Sequence, residues 1–260
     1  MTLTIAVAGK GGVGKTSFCA LLVRWLIANK KTPILAVDAD PNSNLSEALG
    51  VEETSWTISD VVSQTKEIDG IPPHMSQDEF ISYKLSASLT ETEHFDLIAM
   101  GGPQGPGCYC FPNNVLKKHI MKLTKNYRSV VMDNEAGMEH ISRGTTTEHV
   151  DALYVLSDTS RRSVRSAARV YALTRDLRVP VKKIFFVLTR AKEGDAEALH
   201  DEMERLGLRV DGMVPEDETI TAYELAGRPL YELPDDAPSV ASTIKILDET
   251  LGGEDDALLA

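Results

Sequence analysis

The sequence predicts an α/β fold, a single doubly wound and mostly parallel sheet flanked by helices. Short, nearly continuous apolar runs recur along the 260 residues, as is typical of parallel strands buried on both faces. Segments of helical length separate these runs, and such alternation favours right-handed crossovers onto one sheet. With 42% hydrophobic and 25% charged residues, the chain can bury a large core without disulfides or structural metals.

The apolar runs and the segments between them predict the elements in order. The predicted strands are Leu3–Ala8, Ile34–Val37, Phe95–Met100, Ser129–Met132, Ala152–Leu156, Ile184–Leu188 and Arg209–Val214. The predicted helices are Thr16–Asn29, Arg161–Arg175 and Ala196–Leu206. Residues 51–94 are polar and weakly patterned, which indicates one or two peripheral helices. We expect one domain over residues 1–260, with residues 251–260 forming a flexible acidic tail.

Charge and cysteine content narrow the classes of function. The chain carries 39 acidic and 27 basic residues, a net charge of -12, which disfavours non-specific binding to nucleic acid or anionic lipid. Three cysteines do not suggest a secreted disulfide framework. The N-terminus begins directly with a strand, without the pattern of a signal peptide, and no apolar run could span a bilayer. We therefore expect a cytoplasmic protein without nucleic-acid or membrane partners.

A phosphate-binding loop follows the first strand. The segment Gly9-Lys10-Gly11-Gly12-Val13-Gly14-Lys15-Thr16 fits G-x-x-x-x-G-K-[ST] between a buried strand and a helix. Glycines allow main-chain N–H groups to approach phosphate oxygens, and the helix directs its positive end at the same oxygens. Lys15 is expected to neutralise the β- and γ-phosphates of ATP, and the Thr16 hydroxyl to bind Mg²⁺. The predicted loop contacts are Gly11, Gly12, Val13, Gly14, Lys15, Thr16 and Ser17. The alternative is a glycine-rich turn without a ligand.

A second candidate for Mg²⁺ lies at the end of another strand. Val130-Val131-Met132-Asp133 is an apolar strand that ends in a carboxylate, and Asp133 is expected to hold Mg²⁺ through water. Gly137 follows and would let the chain swing toward a γ-phosphate. The alternative is an ordinary polar turn at a strand end, where such residues are common.

Two cysteines, Cys108 and Cys110, stand two positions apart. In an extended segment residues i and i+2 point the same way, so both thiolates could bind one soft cation. Two ligands are too few for a closed tetrahedral site, but a symmetric dimer supplies both cysteines twice. The alternative is a pair of half-buried structural cysteines, because a bare C-x-C is a weak motif. Cys19, within the helix that follows the loop, is expected to be a core residue.

Lys10, the second lysine of the loop, resembles the deviant Walker A lysine of the ParA/MinD/nitrogenase-iron-protein class. The resemblance implies that Lys10 reaches across a dimer interface to the other subunit's phosphates. The segment Asp38–Leu45 is similar to the switch I of that class, which implies that Asp40 orients the attacking water and that Asp38 lies near Mg²⁺. It further implies adenine contacts at Thr189 and Pro215, although the class usually has Asn where this chain has Thr189. The alternative for Asp38 and Asp40 is a polar turn.

Within that class the residues resemble the CooC-type maturation ATPases of carbon monoxide dehydrogenase. The family-specific segments are Met100-Gly101 with Cys108-Tyr109-Cys110, and Glu135-Ala136-Gly137-Met138-Glu139-His140 with Arg143-Gly144. With the two class-wide motifs they cover residues 8 to 144. The resemblance implies a homodimer, promoted by ATP and metal, that binds Ni²⁺ or Zn²⁺ through Cys108 and Cys110. It implies carbon monoxide dehydrogenase as the client and nucleotide turnover as the gate for metal transfer.

Two other functions are compatible with the same loop. A ParA/MinD-like positioning ATPase would use basic patches for DNA or a basic C-terminal helix for lipid, whereas residues 247–260 contain no Lys or Arg. A reductase like the nitrogenase iron protein would hold an iron–sulfur cluster between subunits. Those proteins take single cysteines from two separate loops, so a C-x-C pair fits that reading less well.

Overall fold

The structure, a computed structural model, describes residues 2–40, 44–51, 56–66, 71–72, 74–101, 120–134, 149–174 and 180–253. The strands within these ranges belong to one eight-stranded sheet. They are β1 (Leu3–Gly9), β2 (Ile34–Ala39), β3 (Leu89–Glu91), β4 (Phe95–Ala99), β5 (Ser129–Asn134), β6 (Val150–Asp158), β7 (Val181–Ala191) and β8 (Gly212–Pro215).

The strand order is β3-β4-β2-β5-β1-β6-β7-β8. Every pairing is parallel except that of β3 with β4, which confirms the predicted fold class. The sequence did not predict β3, because three residues at a sheet edge are too short to show a period. β7 begins at Val181 rather than Ile184, and the last strand begins at Gly212 rather than Arg209.

Helices cover both faces of the sheet. They are α1 (Lys15–Ala28), α2 (Leu45–Ala48), α3 (Ile58–Lys66), α4 (Gln77–Ala87), α5 (Arg161–Leu173), α6 (Asp195–Arg205), α7 (Glu218–Leu225) and α8 (Pro238–Leu251). A 3₁₀ turn spans Leu230–Glu232, and residues 120–124 are helical. The three predicted helices correspond to α1, α5 and α6 with shifts of one or two residues at their ends. The region predicted to hold one or two peripheral helices contains α3 and α4.

The core has two layers, one on each side of the sheet. One layer packs α1 and α8 against the side chains on the first face of the sheet, such as Ile5 and Val7 of β1. The other layer packs α5 and α6 against Ala6, Ala8 and the side chains of neighbouring strands that point to the same, second face of the sheet. The alternation along β1 shows why its residues are apolar throughout, since each face is covered by helices.

The C-terminal end differs in one respect from the predicted tail. Residue 251 was expected to begin the flexible segment, but Leu251 is the last residue of α8 and is buried against α1 and the sheet. Residues 254–260 lie outside the described part of the chain. Within the described ranges, no helix is both long and apolar enough to cross a membrane.

Candidate nucleotide-binding site

The three predicted phosphate and metal segments meet at one edge of the sheet. β5 lies between β1 and β2, and all three strands run parallel. Asp133 is therefore beside Val7 on one side and beside Asp38 on the other. Since carboxyl ends of parallel strands share an edge, the loop after β1 and both aspartates converge there, as is general for ligand sites of such sheets.

The loop after β1 depends on glycine at its two ends. A Cβ on Gly9 would lie 2.4 Å from the main-chain oxygen of Leu156 on β6, a distance that no side chain tolerates. Gly14 has φ 84° and is the N-cap of α1 without a side chain that caps the helix. The N–H groups of the first turn are thus left for an external anion, which the helix dipole also favours.

Lys15 is buried below this loop although it carries a charge. It is 7% exposed, and its Nζ lies 3.5 Å from the main-chain oxygen of Lys10. That long contact does not compensate a buried ammonium group, which requires strong partners. A polyphosphate in the loop would supply them. Lys10 itself is half-buried, and Gly11 and Gly12 are exposed at the rim.

Thr16 and Asp133 contact each other beneath the loop. The Thr16 hydroxyl donates to Asp133 Oδ2 at 2.6 Å, while Oδ1 is buried and, apart from the weak Cys19 thiol donor beside the carboxylate, has no hydrogen-bond partner among the described residues. Burial raises the pKa of Asp133 to about 6. The Thr16 hydrogen bond and the Lys15 charge lower this pKa, but their combined effect is smaller than that of burial. An unpaired buried carboxylate oxygen beside a hydroxyl is a hard-oxygen set, and such a set fits Mg²⁺.

Asp38 fixes the start of the next segment. Its Oδ1 accepts from the Asp40 N–H at 3.1 Å, and its Oδ2 accepts from the Leu45 N–H at 2.9 Å. Burial and the nearby Asp133 charge raise the pKa of Asp38 to about 7, although the Leu45 hydrogen bond lowers it. Asp38 thus connects the end of β2 to the beginning of α2, while Asp40 is half-buried and lines the cavity.

Two cavities adjoin the loop and share part of their walls. One, of about 460 Å³, lies at the phosphate end and is bordered by Lys15, Thr16 and Asp40. The other, of about 240 Å³, lies between α1, β8 and α7. Both are lined by Gly14, Ser17, Arg190 and Glu224. The two cavities therefore lie next to each other along the N-terminus of α1.

The sequence-predicted adenine contacts, Thr189 and Pro215, both line the smaller cavity. Thr189 Oγ1 lies 2.8 Å from the Val13 oxygen and 3.2 Å from the Ser157 oxygen. Its hydroxyl hydrogen is thereby directed to the main chain, and the oxygen lone pairs can only accept from a ligand. Thr189 therefore joins β6 and β7 to the phosphate loop as well as lining the cavity.

The far wall of this cavity adds residues that were not assigned as contacts from the sequence, although two of them, Arg190 and Asp217, lie close to Thr189 and Pro215 in the chain. Asp217 caps α7 by accepting from the Thr219 N–H at 2.9 Å, and also accepts from Ser239 Oγ at 2.6 Å on α8. Arg190 has a left-handed main chain, φ 54°, at an irregularity of β7 and lines both cavities. The N-cap pattern Asp217-Glu218-Thr219 could have indicated α7, whereas the position of Arg190 depends on the sheet.

The predicted soft-metal ligands, Cys108 and Cys110, lie outside the described residues. Within the ranges that the structure does describe, no group of three or more His, Cys, Asp and Glu side chains could hold a metal ion. Cys19 is a buried core residue of α1, as predicted, and burial raises the pKa of its thiol.

Comparison with known proteins identifies the class. Residues 4–230 match the family described as the CobQ/CobB/MinD/ParA nucleotide binding domain, and the chain belongs to this family. An uncharacterized ATP-binding protein of Methanocaldococcus jannaschii is 42% identical over 90% of this chain and 92% of its own length. The carbon monoxide dehydrogenase accessory protein CooC of Rhodospirillum rubrum is 33% identical over 88% of this chain and 90% of its own. The ParA family ATPase of Chlorobium tepidum shares the fold, with a TM-score of 0.70, 20% identity and coverage of 94% and 96%.

Proposed function

We propose that the protein is an ATP-hydrolysing, nucleotide-switched homodimer. The observation that carries this proposal is the contact between Thr16 and Asp133, with its unpaired carboxylate oxygen, directly below the buried Lys15. A cation and a polyphosphate would each satisfy groups that the protein leaves without adequate partners. The family to which the chain belongs binds nucleotides through the same domain.

Each residue has a distinct part in this proposal. Lys15 and the N–H groups of residues 11–17 hold the phosphates, and Thr16 with Asp133 would hold Mg²⁺, which supplies charge neutralisation at the β- and γ-phosphates when bound. Asp40 orients the attacking water. Lys10 supplies a cation to the nucleotide of the other subunit, so ATP favours the dimer.

Asp38 would transmit the state of the nucleotide. Its two hydrogen bonds position Asp40 and the start of α2. Loss of the γ-phosphate would change the charge that Asp38 and Asp40 face, and so alter the position of this switch segment. Thr189 and Pro215 border the base-sized cavity, and Thr189 also contacts the loop that holds the phosphates.

The client and the cargo are proposed on the relationship to CooC. We infer that Cys108 and Cys110 of both subunits bind one Ni²⁺ or Zn²⁺ as cargo, with the thiols deprotonated by the metal. ATP binding would assemble the four-thiolate site and hydrolysis would loosen it, which would gate nickel insertion into carbon monoxide dehydrogenase. The 33% identity to an accessory protein of that enzyme supports this proposal.

One experiment tests both parts: Ni²⁺ and Zn²⁺ titration followed by size-exclusion chromatography, with and without Mg·ATP, alongside phosphate release. The full-length protein is expected to form dimers with one ion per dimer. Lys15→Ala should lower phosphate release by about a hundredfold or more, and the exposed Lys30→Ala serves as its control. Unchanged turnover in Lys15→Ala would contradict the phosphate-loop assignment.

The cysteines are tested separately from the nucleotide. The double variant Cys108→Ala, Cys110→Ala should lose the ion and keep nucleotide binding. Cys19→Ala is the matched control for metal content alone, because it removes a buried thiol outside the pair but one that lies beside Asp133 and Lys15. Full metal content in the double variant would place the ligands elsewhere, and broad visible absorption after anaerobic isolation would favour an iron–sulfur reductase instead.

A further inference from the structure

Helix α5 carries an unusual concentration of positive charge. Four of its 13 residues are arginines and none is acidic, in a chain whose net charge is -12. All four, Arg161, Arg162, Arg165 and Arg169, are exposed. The arginines are not needed to hold the helix on the sheet, because Val164, Ala167 and Val170 on its opposite side are buried in the core.

The exposed side chains of α5 form a single row. At about 3.6 residues per turn, Arg162, Arg165, Arg169 and Leu173 lie above one another along the helix. Leu173 is 51% exposed at the C-terminal end of this row. We call these four residues the arginine stripe.

The arginines at the beginning of α5 oppose the local electrostatics. Arg161 and Arg162 occupy the first turn, where the helix dipole disfavours cations and acidic residues are preferred. Ser160 already caps the helix by accepting from the Ser163 N–H at 3.2 Å. Folding of α5 therefore gives no reason for positive charge at these positions.

Neighbouring residues neutralise only part of the stripe. Arg165 Nε donates to Glu202 Oε1 at 2.6 Å, and Arg205 donates to the other oxygen of Glu202 at 2.6 Å. One carboxylate is thus shared by two guanidinium groups. In the part of the chain that the structure describes, Arg162 and Arg169 make no ion pair or side-chain hydrogen bond.

We propose that the arginine stripe is a docking site for an acidic protein surface. The partner would present carboxylates at about one-turn spacing and an apolar recess for Leu173. Guanidinium groups bind carboxylates in bidentate pairs, and arginine is enriched at protein interfaces relative to the rest of the surface. A long polyanion such as nucleic acid would be repelled by the remaining acidic surface.

The place of α5 in the fold gives this surface a connection to the nucleotide edge. β6 lies beside β1 with Leu156 opposite Gly9, and α5 follows β6 directly. The first turn of α5 therefore begins at the sheet edge that carries the phosphate loop. The docking proposal does not depend on the proposed function, because the stripe contains none of the nucleotide or metal residues.

The test measures binding of a fluorescent helical peptide, with glutamates one turn apart beside a leucine, to the full-length protein. The wild-type protein should bind it, more weakly at high ionic strength. Arg162→Glu with Arg169→Glu should weaken binding by about tenfold or more. Leu173→Ala should weaken it severalfold at any ionic strength. Absence of wild-type binding would overturn the proposal.

The matched control is Lys30→Glu with Lys245→Glu, which makes the same change in net charge on exposed residues of the opposite face. It should leave peptide binding unchanged; an equal loss there would show that only net charge matters. The stripe variant should keep the wild-type Tm, because glutamate at position 162 suits the first turn of the helix and position 169 is exposed to solvent. Duplex DNA or phosphatidylserine vesicles that bind through Arg162 and Arg169, in place of the peptide, would also overturn it.

Discussion

Buried aspartates occur both at the amino edge of the sheet, where the strands begin, and at the carboxyl edge, where they end. The two edges differ in how many partners the protein supplies to the carboxylate. Asp151 lies at the amino edge, near the start of β6. One of its oxygens accepts from the Thr4 N–H at 2.8 Å and lies 3.2 Å from His149 Nε2, and the other lies 2.6 Å from Lys182 Nζ. Asp133 lies at the carboxyl edge and has one hydroxyl donor, the weak thiol donor of Cys19 beside it, and an oxygen without a strong partner.

The difference separates a carboxylate that holds the fold together from one that is available to a ligand. Both side chains are buried, so both would cost free energy if left charged and unpaired. At the amino edge the protein supplies a main-chain donor and a nearby cation. At the carboxyl edge it supplies too few donors, and the pKa values of Asp133 and Asp38 rise to about 6 and about 7, chiefly through burial. The incomplete pairing coincides with the edge at which we propose that the nucleotide and Mg²⁺ bind.

The largest effect is expected from Asp151→Ala. Removing this carboxylate leaves the Thr4 N–H unsatisfied and separates Lys182 from its partner, which should lower the free energy of unfolding by about 3 kcal/mol. Urea denaturation measures it, and Mg·ATP should not change the difference. Asp235→Ala is the control, because Asp235 is 88% exposed in its ion pair with Arg24 and such pairs contribute little. An equal loss in both variants would mean that Asp151 has no special role at the amino edge.

Much of the fold could be predicted from the sequence, because periodic apolar runs report burial directly. β1, β2 and β5 are apolar on both faces and sit in the centre of the sheet. β3 could not be predicted, since its three residues are stabilised by pairing with β4 rather than by their own pattern. The N-terminal shift of α1 to Lys15 has a similar cause: the residue belongs to the loop motif and the helix together.

The candidate site was predictable only where a motif is continuous. Thr16 and Asp133 were both predicted to serve Mg²⁺, but their direct contact depends on strand order, which brings residues 117 positions apart together. Thr189 was predicted as an adenine contact from resemblance, whereas its contact with Val13 follows from the packing of β7 beside β6. The cavity wall at Asp217 and Ser239 joins α7 to α8: Asp217 closely follows the predicted contact Pro215, but Ser239 lies 22 positions further along the chain and belongs to no motif.

Asp133→Asn should have the next largest effect, with the opposite sign. In nucleotide-free protein kept without Mg²⁺, the carboxyl group has a pKa of about 6, above the unfolded value of 3.8. Its contribution to stability is therefore present at low pH and lost as the pH rises through 6. Asparagine cannot lose a proton and so avoids this loss of stability, and the variant should gain up to about 3 kcal/mol relative to wild type between acid and neutral pH.

The same variant separates stability from ligand binding. Asp133→Asn should lose the rise in Tm that Mg·ATP gives the wild-type protein, because the neutral amide binds Mg²⁺ poorly. Thermal melts over a pH series, with and without Mg·ATP, measure both effects. A variant that is less stable than wild type at every pH would show that Asp133 is a structural carboxylate like Asp151, and the comparison of the two edges would fail.

The smallest effect, about 0.5 to 1 kcal/mol, is expected from Lys182→Met at the amino edge. Lys182 is 46% exposed, so water and salt weaken its pairing with Asp151, while Met keeps an apolar side chain of similar length. The Thr4 N–H still donates to Oδ2 of Asp151, and water can reach Oδ1 once the half-exposed Lys182 is replaced, so the loss should shrink as salt is added to the urea titration. Lys192→Met, whose pair with Glu216 is more exposed on both sides, should cost less. If Lys182→Met costs as much as Asp151→Ala at high salt, the ion pair rather than the main-chain donor compensates the buried carboxylate.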